Sequence, residues 1–390
     1  MPSRPPSPKE GEKTSLRKWR VLFWDGYGIG EEGTGIYFSA KCIAEELLRK
    51  DIAPCLIHMK KDPSRILRGL DEVTLKSWGF LDKIMRSKIV WPVRVGRYLE
   101  SVYADDPTIK IFHGLSNFNV PWSIDFSKKF RTILTIHDLI PFLARDDVSM
   151  FYLMQLKYCL PKVLPVVDQI VCDSCWTKKT VVEFFPYVES KTKVVPLGFP
   201  EFKGKEVYRK DAETVGILSV SRFEKYKRFN LLCDIVKKMD GKFVLTLVTD
   251  QKGLLWAREN FSDLIRKSYL IPLTSLTRED LEMKYREADV YVHTSLYEGF
   301  GLPPTEALSF GIPVVYQSGS AVDEILGKKV AFPMLLSHSI DDWIDKIKQA
   351  NELSYLSDFQ KKIKEEVGSW NTWSRTADQL IELYDSLADS

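Results

Sequence analysis

The sequence predicts an α/β protein of two doubly wound domains, each a parallel sheet with helices on both faces. Three observations carry this. From Arg20 onward, short apolar β runs alternate with amphipathic helical stretches, the pattern of strands that return through helices. The stretch VVPLGFPEFKGKEVYRKDAET breaks that rhythm with Pro, Gly and charge, which puts an interdomain linker near 197–213. The length, 390 residues, is too great for one ordinary domain and about right for two.

The first series opens with a strand at VLFW (Val21–Trp24). A helix is expected over Gly33–Arg49, where Ile36, Ala40, Ile43, Ala44, Leu47 and Leu48 recur at near-helical spacing. Ala53–His58, Ile109–His113, Thr132–Asp138 and Gln169–Asp173 read as further strands, with helices at Met150–Leu160 and Trp176–Phe185. The second series supplies VGILSVS, KFVLTLVT, SYLIPLT, DVYVHTS, IPVVYQ and VAFPM, and a last helix falls at Thr376–Leu387. Two such domains should place the loops at their strand carboxyl ends across a cleft, the usual ligand position in open α/β sheets. The expected divisions are a disordered tail at 1–15, a first domain at 16–197, a second at 214–370 and a C-terminal helix at 371–390.

Composition narrows the function. Apolar residues make up 44% and charged residues 28%, as in a soluble globular protein. A net charge of +3 gives no case for nucleic acid. No run of 18 apolar residues exists to span a membrane, and MPSRPPSPKEGEKTS lacks the apolar core of a signal peptide. Six scattered cysteines suit a reducing, cytoplasmic setting. Cys172 and Cys175 form a lone C-x-x-C; zinc would need a second pair, so both read as small hydrophobes.

The most informative stretch is EGFGLPPTE, Glu298–Glu306, between the strand of ADVYVHTSLY and a short helical run. Two carboxylates flank a glycine turn that enters a helix. Such a turn can offer N–H groups to an anion, while the carboxylates can accept from sugar hydroxyls. A nucleotide sugar carries both. SVSRFEKYKRF sets Arg222 and Lys227 after the first strand of the second domain, a rigid fork and a point charge suited to a diphosphate. GYGIGEEGTG satisfies G-x-G-x-x-G with Gly28, Gly30 and Gly33, but the second strand ends His58-Met59-Lys60-Lys61 with no carboxylate for an NAD ribose. An NADP reading through Lys60 or Lys61, or a turn that only needs positive φ, stays open. His113 and His137 stand at strand ends facing the expected cleft, where histidines can serve catalysis or acceptor binding. His293, inside an apolar strand, reads as structural. The stretch 60–97 carries ten Lys/Arg against four Asp/Glu, with Trp78 and Trp91, and could touch an anionic membrane or be a solvated face.

EGFGLPPTEALSFGIPVV closely resembles the signature of the family 4 glycosyltransferases, which have the GT-B fold of two Rossmann-like domains. Glu298 and Glu306 match its E-x7-E, SRFEKYK its R-x4-K, TIHDLIP the "HD" segment of its mannosyl- and rhamnosyltransferase-like members, and GEEGTGIY its glycine loop. The resemblance implies retaining transfer of a hexose from a GDP- or UDP-sugar to a glycan, glycoprotein or lipid-linked acceptor, with no cofactor and no metal. Arg222 and Lys227 would hold the diphosphate, Glu306 the ribose, and Glu298 with Gly299, Phe300, Gly301 and Leu302 the transferred sugar. His137 would sit by that sugar and Leu273 by the base. Gly33, Thr34 and Gly35 would approach the phosphates or acceptor, and His113 is assigned to the acceptor. The last helix would cross back to the first domain. Arg228 stands where many members have Gly or Asn, and VTDQKG replaces a glycine-rich turn. No residue suggests itself as a nucleophile, so the implied reaction is the same-face one, with the departing phosphate helping to deprotonate the acceptor.

Overall fold

The computed structural model describes residues 20–25, 35–52, 54–58, 71–74, 96–97, 99, 108–117, 120–122, 124–204, 214–326 and 330–389. The chain forms two compact units. Unit 1 comprises Met1–Leu139, Ser149–Gly198 and Asn371–Ser390; unit 2 comprises Ile140–Val148 and Phe199–Trp370.

Among the described residues, unit 1 is built on seven parallel strands: β1 Arg20–Asp25, β2 Cys55–His58, β3 Asp71–Thr74, β4 Ile109–Gly114, β5 Arg131–Ile136, β6 Gln169–Cys172 and β7 Thr192–Val194. Their order is β3-β2-β1-β4-β5-β6-β7, so the chain reverses its direction of travel between β1 and β4. Ile111 through Gly114 pair with Arg131 through Leu134, and Ile133 through Ile136 with Gln169 through Cys172. These inner strands are buried on both faces, which is why ILTI and QIVC read as unbroken apolar runs. Phe112 meets Phe126 edge to face at 5.3 Å beneath the sheet. The helix Cys175–Phe184 starts at Ser174, whose hydroxyl accepts from the Thr177 N–H at 3.0 Å.

The helix Trp373–Ala388 completes unit 1. Its Trp373 meets Phe38 edge to face at 6.0 Å, Asp378 pairs with Lys50 at 2.7 Å, and Lys110 donates to the Ala388 carbonyl at 2.9 Å. Gly198 lies against the Trp373 backbone, where a Cβ would have no room.

Among the described residues, unit 2 has six parallel strands: β8 Val215–Val220, β9 Phe243–Val248, β10 Leu270–Leu273, β11 Val290–His293, β12 Val314–Gln317 and β13 Ala331–Met334. Their order is β10-β9-β8-β11-β12-β13, with the reversal between β8 and β11. VYVH and VVYQ are buried throughout. The helix Ile340–Ser354 begins with a reciprocal Ser339–Asp342 capping box and drives Trp343 into the core.

Two short strands, β3 and β7, have no apolar pattern to announce them; both are edges, where one row of backbone groups is unpaired and polar residues are tolerated. Residues 199–204, expected as linker, belong to unit 2, where Lys203 and Gly204 donate to the Ser309 carbonyl at 2.7 and 3.1 Å. Among the described residues no helix is long and apolar enough to cross a membrane, and no cluster of three His, Cys, Asp or Glu side chains could hold a metal.

Candidate functional site

In unit 2 the site grows from the sheet reversal. β8 and β11 are neighbours, so the loops leaving them, SRFEKYKR and TSLYEGFG, start side by side. Asp250 accepts from the Phe223 N–H at 3.3 Å and caps the next helix through the Gly253 N–H at 3.0 Å; this is what VTDQKG does in place of a glycine turn. A short 3-10 turn, Lys225–Lys227, ends at Arg228 with φ 56° and ψ 46°. That left-handed backbone explains the usual Gly or Asn there. Arg228 instead carries a side chain whose Nη1 donates to Gln317 Oε1 at 2.7 Å. The two loops are laced together: Thr294 Oγ1 donates to the Lys227 carbonyl at 2.7 Å, and Leu296 N to the Tyr226 carbonyl at 2.9 Å.

This lacing brings Lys227 to Glu298. The Lys227 Nζ lies 2.5 Å from Glu298 Oε1, and His293 Nε2 donates to the same oxygen from 2.8 Å. Both Lys227 and Glu298 side chains are only 13% exposed. Burial alone would raise the Glu298 pKa, but Lys227 and His293 outweigh it and hold the carboxyl well below the usual carboxylate range. Glu298 is therefore an anion fixed by two donors on one oxygen.

Glu306 is held separately. Arg278 Nη1 donates to Oε1 at 2.6 Å and Tyr285 Oη to Oε2 at 2.9 Å. Arg278 also reaches Glu282 at 3.3 Å, and Glu282 accepts from Lys203 at 2.6 Å. A buried ring stack joins the two carboxylates: Tyr285 lies 6.2 Å from Tyr291, and Tyr291 6.2 Å from His293, all near parallel. Between them runs the glycine turn. Gly301 has φ +98°, and a Cβ there would stand 3.0 Å from Val322 Cγ2, so the turn requires glycine. The helix Leu302–Ser309 follows, with Pro303 and Pro304 in its first turn. Prolines carry no N–H, so the helix end offers fewer backbone donors than its position suggests, and the turn itself must supply most of them. Arg222 is exposed just beyond β8, and Leu273 closes β10 half-buried.

In unit 1 the two histidines diverge. His137 donates from Nδ1 to Asp173 Oδ2 at 2.6 Å and from Nε2 to the Leu115 carbonyl at 2.8 Å. Burial would lower its pKa, but Asp173, the Leu115 carbonyl and Asp138 together raise it to about 9. It is an imidazolium with both N–H groups used, not a free base. His113 is only 1% exposed, with Nδ1 on Tyr384 Oη at 2.8 Å and Nε2 on Thr135 Oγ1 at 2.7 Å. Burial and the nearby His137 charge lower its pKa to about 3. His113 is thus a buried, neutral residue that ties β4 to β5 and the helix Trp373–Ala388, and the acceptor role expected of it stands as a proposal. Both rings line a cavity of about 20 Å³ with Ser39, Thr135 and Asp173, room for about one water.

Gly35 is the exposed first residue of the helix Gly35–Arg49. Gly33 and Thr34 lie outside the described residues, as do Gly28, Gly30, Lys60, Lys61 and nearly all of 60–97. Sequence reasoning missed Arg278, Tyr285 and Tyr291 and read His293 as structural only. Arg278 and Tyr285 are seven apart in REDLEMKYRE and share a helix face, a signal that was present. Of the C-x-x-C pair, Cys172 is buried, as read, while Cys175 is exposed.

Unit 2 is a doubly wound sheet with cations and carboxylates at its reversal point, the place where open α/β sheets hold ligands. Residues 201–367 match the family described as Glycosyl transferases group 1. O-antigen chain mannosyltransferase B of Escherichia coli is 23% identical over 236 residues, 56% of this chain and 59% of that protein. The chain spans 42% and 59% of the first two curated relatives it matches, about half their length. Among solved structures, a glycosyltransferase from Rickettsia africae ESF-5 matches with TM-score 0.71 at 14% identity, over 95% of this chain and 98% of that one. Anabaena Alr3699/HepE in complex with UDP-glucose matches with TM-score 0.68 at 14% identity, over 94% and 99%. Residues 201–367 thus match the Glycosyl transferases group 1 family, and the chain is similar in fold to glycosyltransferases over almost its whole length.

Proposed function

We propose that the chain is a retaining hexosyltransferase that moves mannose from GDP-mannose to a hydroxyl of a glycan, glycoprotein or lipid-linked acceptor. The observation that carries this reading is the Lys227–Glu298–His293 cluster beside the Gly299–Leu302 turn. Lys227 has three N–H donors and spends one on Glu298, leaving two for diphosphate oxygens. Glu298 takes both internal donors on Oε1, so Oε2 is the oxygen assigned to a sugar hydroxyl. Glu306, steadied by Arg278 and Tyr285, accepts from the ribose, and Leu273 touches the base. Arg222 meets charge that grows on the leaving diphosphate. Gly33, Thr34 and Gly35 approach the phosphates or the acceptor.

In the reaction, the bond from the anomeric carbon to the diphosphate oxygen breaks. The acceptor oxygen bonds the same carbon from the same face, and its proton passes to the departing diphosphate. No step is assigned to a metal or cofactor. No proton transfer is assigned to His137, whose ring N–H groups both donate within unit 1; its part is to fix the start of the HDLIP segment, and its contact with the sugar remains a proposal.

The mannose choice is supported by TIHDLIP and by the mannosyltransferase among the relatives. A UDP-sugar is the second reading, favoured by the UDP-glucose complex among the structural neighbours. Donor hydrolysis and transfer with GDP-mannose, UDP-glucose and related donors, with and without chelator, tests both. Turnover of a UDP-sugar beside none of GDP-mannose would replace the first reading by the second. Binding without turnover of any donor would leave a silent nucleotide- or glycan-binding protein. The expected location is the cytoplasm. A membrane contact through 60–97 is kept only as a proposal.

A further inference from the structure

The helix Met150–Val163 is apolar on both sides. One side packs inward through Leu153, Leu156, Cys159, Leu160 and Val163. The other exposes Met150, Phe151, Met154 and Tyr158, which are 65, 69, 62 and 48% exposed. At about 100° per residue these four form one stripe roughly 100° wide along the helix. Lys157 and Lys162 stand on its two edges, both exposed, and the sequence MFYLMQLKYCLPKV holds no Asp or Glu. Lys162 Nζ lies 3.4 Å from the Tyr158 ring centroid and 5.7 Å from that of Trp122, which precedes the helix Ile124–Lys129 with its exposed Lys128 and Lys129.

A solvent-facing stripe of four large apolar side chains on one helix is not the scattered exposure of an ordinary surface. An apolar stripe edged by lysines matches a surface whose apolar layer is bordered by anionic groups. Along the helix itself the flanking charges are Lys157 and Lys162, the complement of a sheet of phosphates, and Asp146 and Asp147 lie in the turn before its first residue. We propose that this helix lies on an anionic lipid surface. Phe151, Met150 and Met154 enter the boundary between headgroups and acyl chains, and Tyr158 sits at headgroup level. Lys157 and Lys162 reach lipid phosphates on either side. This contact is separate from the donor reading and from the stretch 60–97.

The test is cosedimentation of the full chain with phosphatidylcholine vesicles, alone and with phosphatidylglycerol added. Binding is expected only with the anionic lipid, falling as salt rises. Phe151→Ser with Met154→Ser should lower the partition coefficient at least tenfold. Lys157→Gln with Lys162→Gln, which removes both charges and with Lys162 its contact on the Tyr158 ring, should lower it roughly fivefold for each lysine. Melting temperatures near that of the parent chain show that the exposed positions are not needed for folding. Absence of binding to anionic vesicles overturns the proposal. So does binding that survives both pairs of substitutions, which would locate the contact elsewhere. A concentration-dependent dimer abolished by Phe151→Ser with Met154→Ser, in protein that ignores vesicles, would assign the stripe to a second copy instead.

Discussion

Replacing Lys227 by Met tests whether Glu298 is an anion held by its neighbours. The Nζ–Oε1 distance of 2.5 Å gives a gross attraction of roughly 6–7 kcal/mol at an effective dielectric near 20. Most of that is offset by the desolvation of both groups. The relevant quantity is what remains when one partner leaves: a buried carboxylate without its cation, worth about 3–5 kcal/mol. His293 still donates to Oε1, so the lower end, about 3 kcal/mol, is expected. Adding Glu298→Gln removes the stranded charge and should recover at least half of the loss. The pH dependence has a fixed sign. With the folded pKa of Glu298 below the ordinary value of 4.5, the native chain binds fewer protons than the unfolded one just under that value. The stabilisation is present above about pH 4.5 and lost as the pH falls toward the folded pKa. The penalty for Lys227→Met should therefore shrink between pH 7 and pH 3.5. The assay is chemical denaturation of the full chain at both pH values for the two single variants and the double. A penalty under about 1 kcal/mol at pH 7, or one that does not change with pH, would refute the reasoning.

Arg228→Gly should be more stable than Arg228→Ala by about 1 kcal/mol, since φ 56° strains any side chain and both lose the Gln317 bond; thermal melts compare them. Gly301→Ala should destabilise by about 1–2 kcal/mol, through φ +98° and the approach to Val322, and should weaken donor binding in calorimetry. The His137 pKa, raised to about 9, makes its stabilisation complete below about pH 6.5 and lost as the pH rises through 9. Asp173→Asn should abolish that alkaline decline, and proton NMR of the imidazole should show the pKa falling.

The architecture was largely legible in the sequence because inner strands are buried on both faces and so read as unbroken apolar runs. Both sheets appear with their strands in the expected places. The edges β3 and β7 were not legible, since DEVT and TKV carry no core-facing pattern. In the site, Lys227 and Glu298 could each be singled out from its own motif, but their contact could not be read from the sequence. Nor could the partners that hold them. His293 looked like an ordinary core histidine because its neighbours in VYVH are apolar; only the fold shows its Nε2 turned onto Glu298. His113 and His137 looked alike as strand-end histidines. Their difference lies in Asp173, thirty-six residues after His137, which keeps one ring charged while burial keeps the other neutral.

Unit 1 is assembled from three stretches of chain, and most of unit 2 lies between the second and the third. Tyr384 supplies the hydroxyl on His113, and Trp373 lies against Gly198 and Phe38. During synthesis, therefore, the earliest sheet to leave the ribosome waits for some of the latest residues before its polar core is satisfied. The intervening sheet, β8 to β13, has all its strands by Met334 and its flanking helices by Gly368. The later-made half of this chain is positioned to mature first, the reverse of the order in which domains ordinarily fold as they emerge.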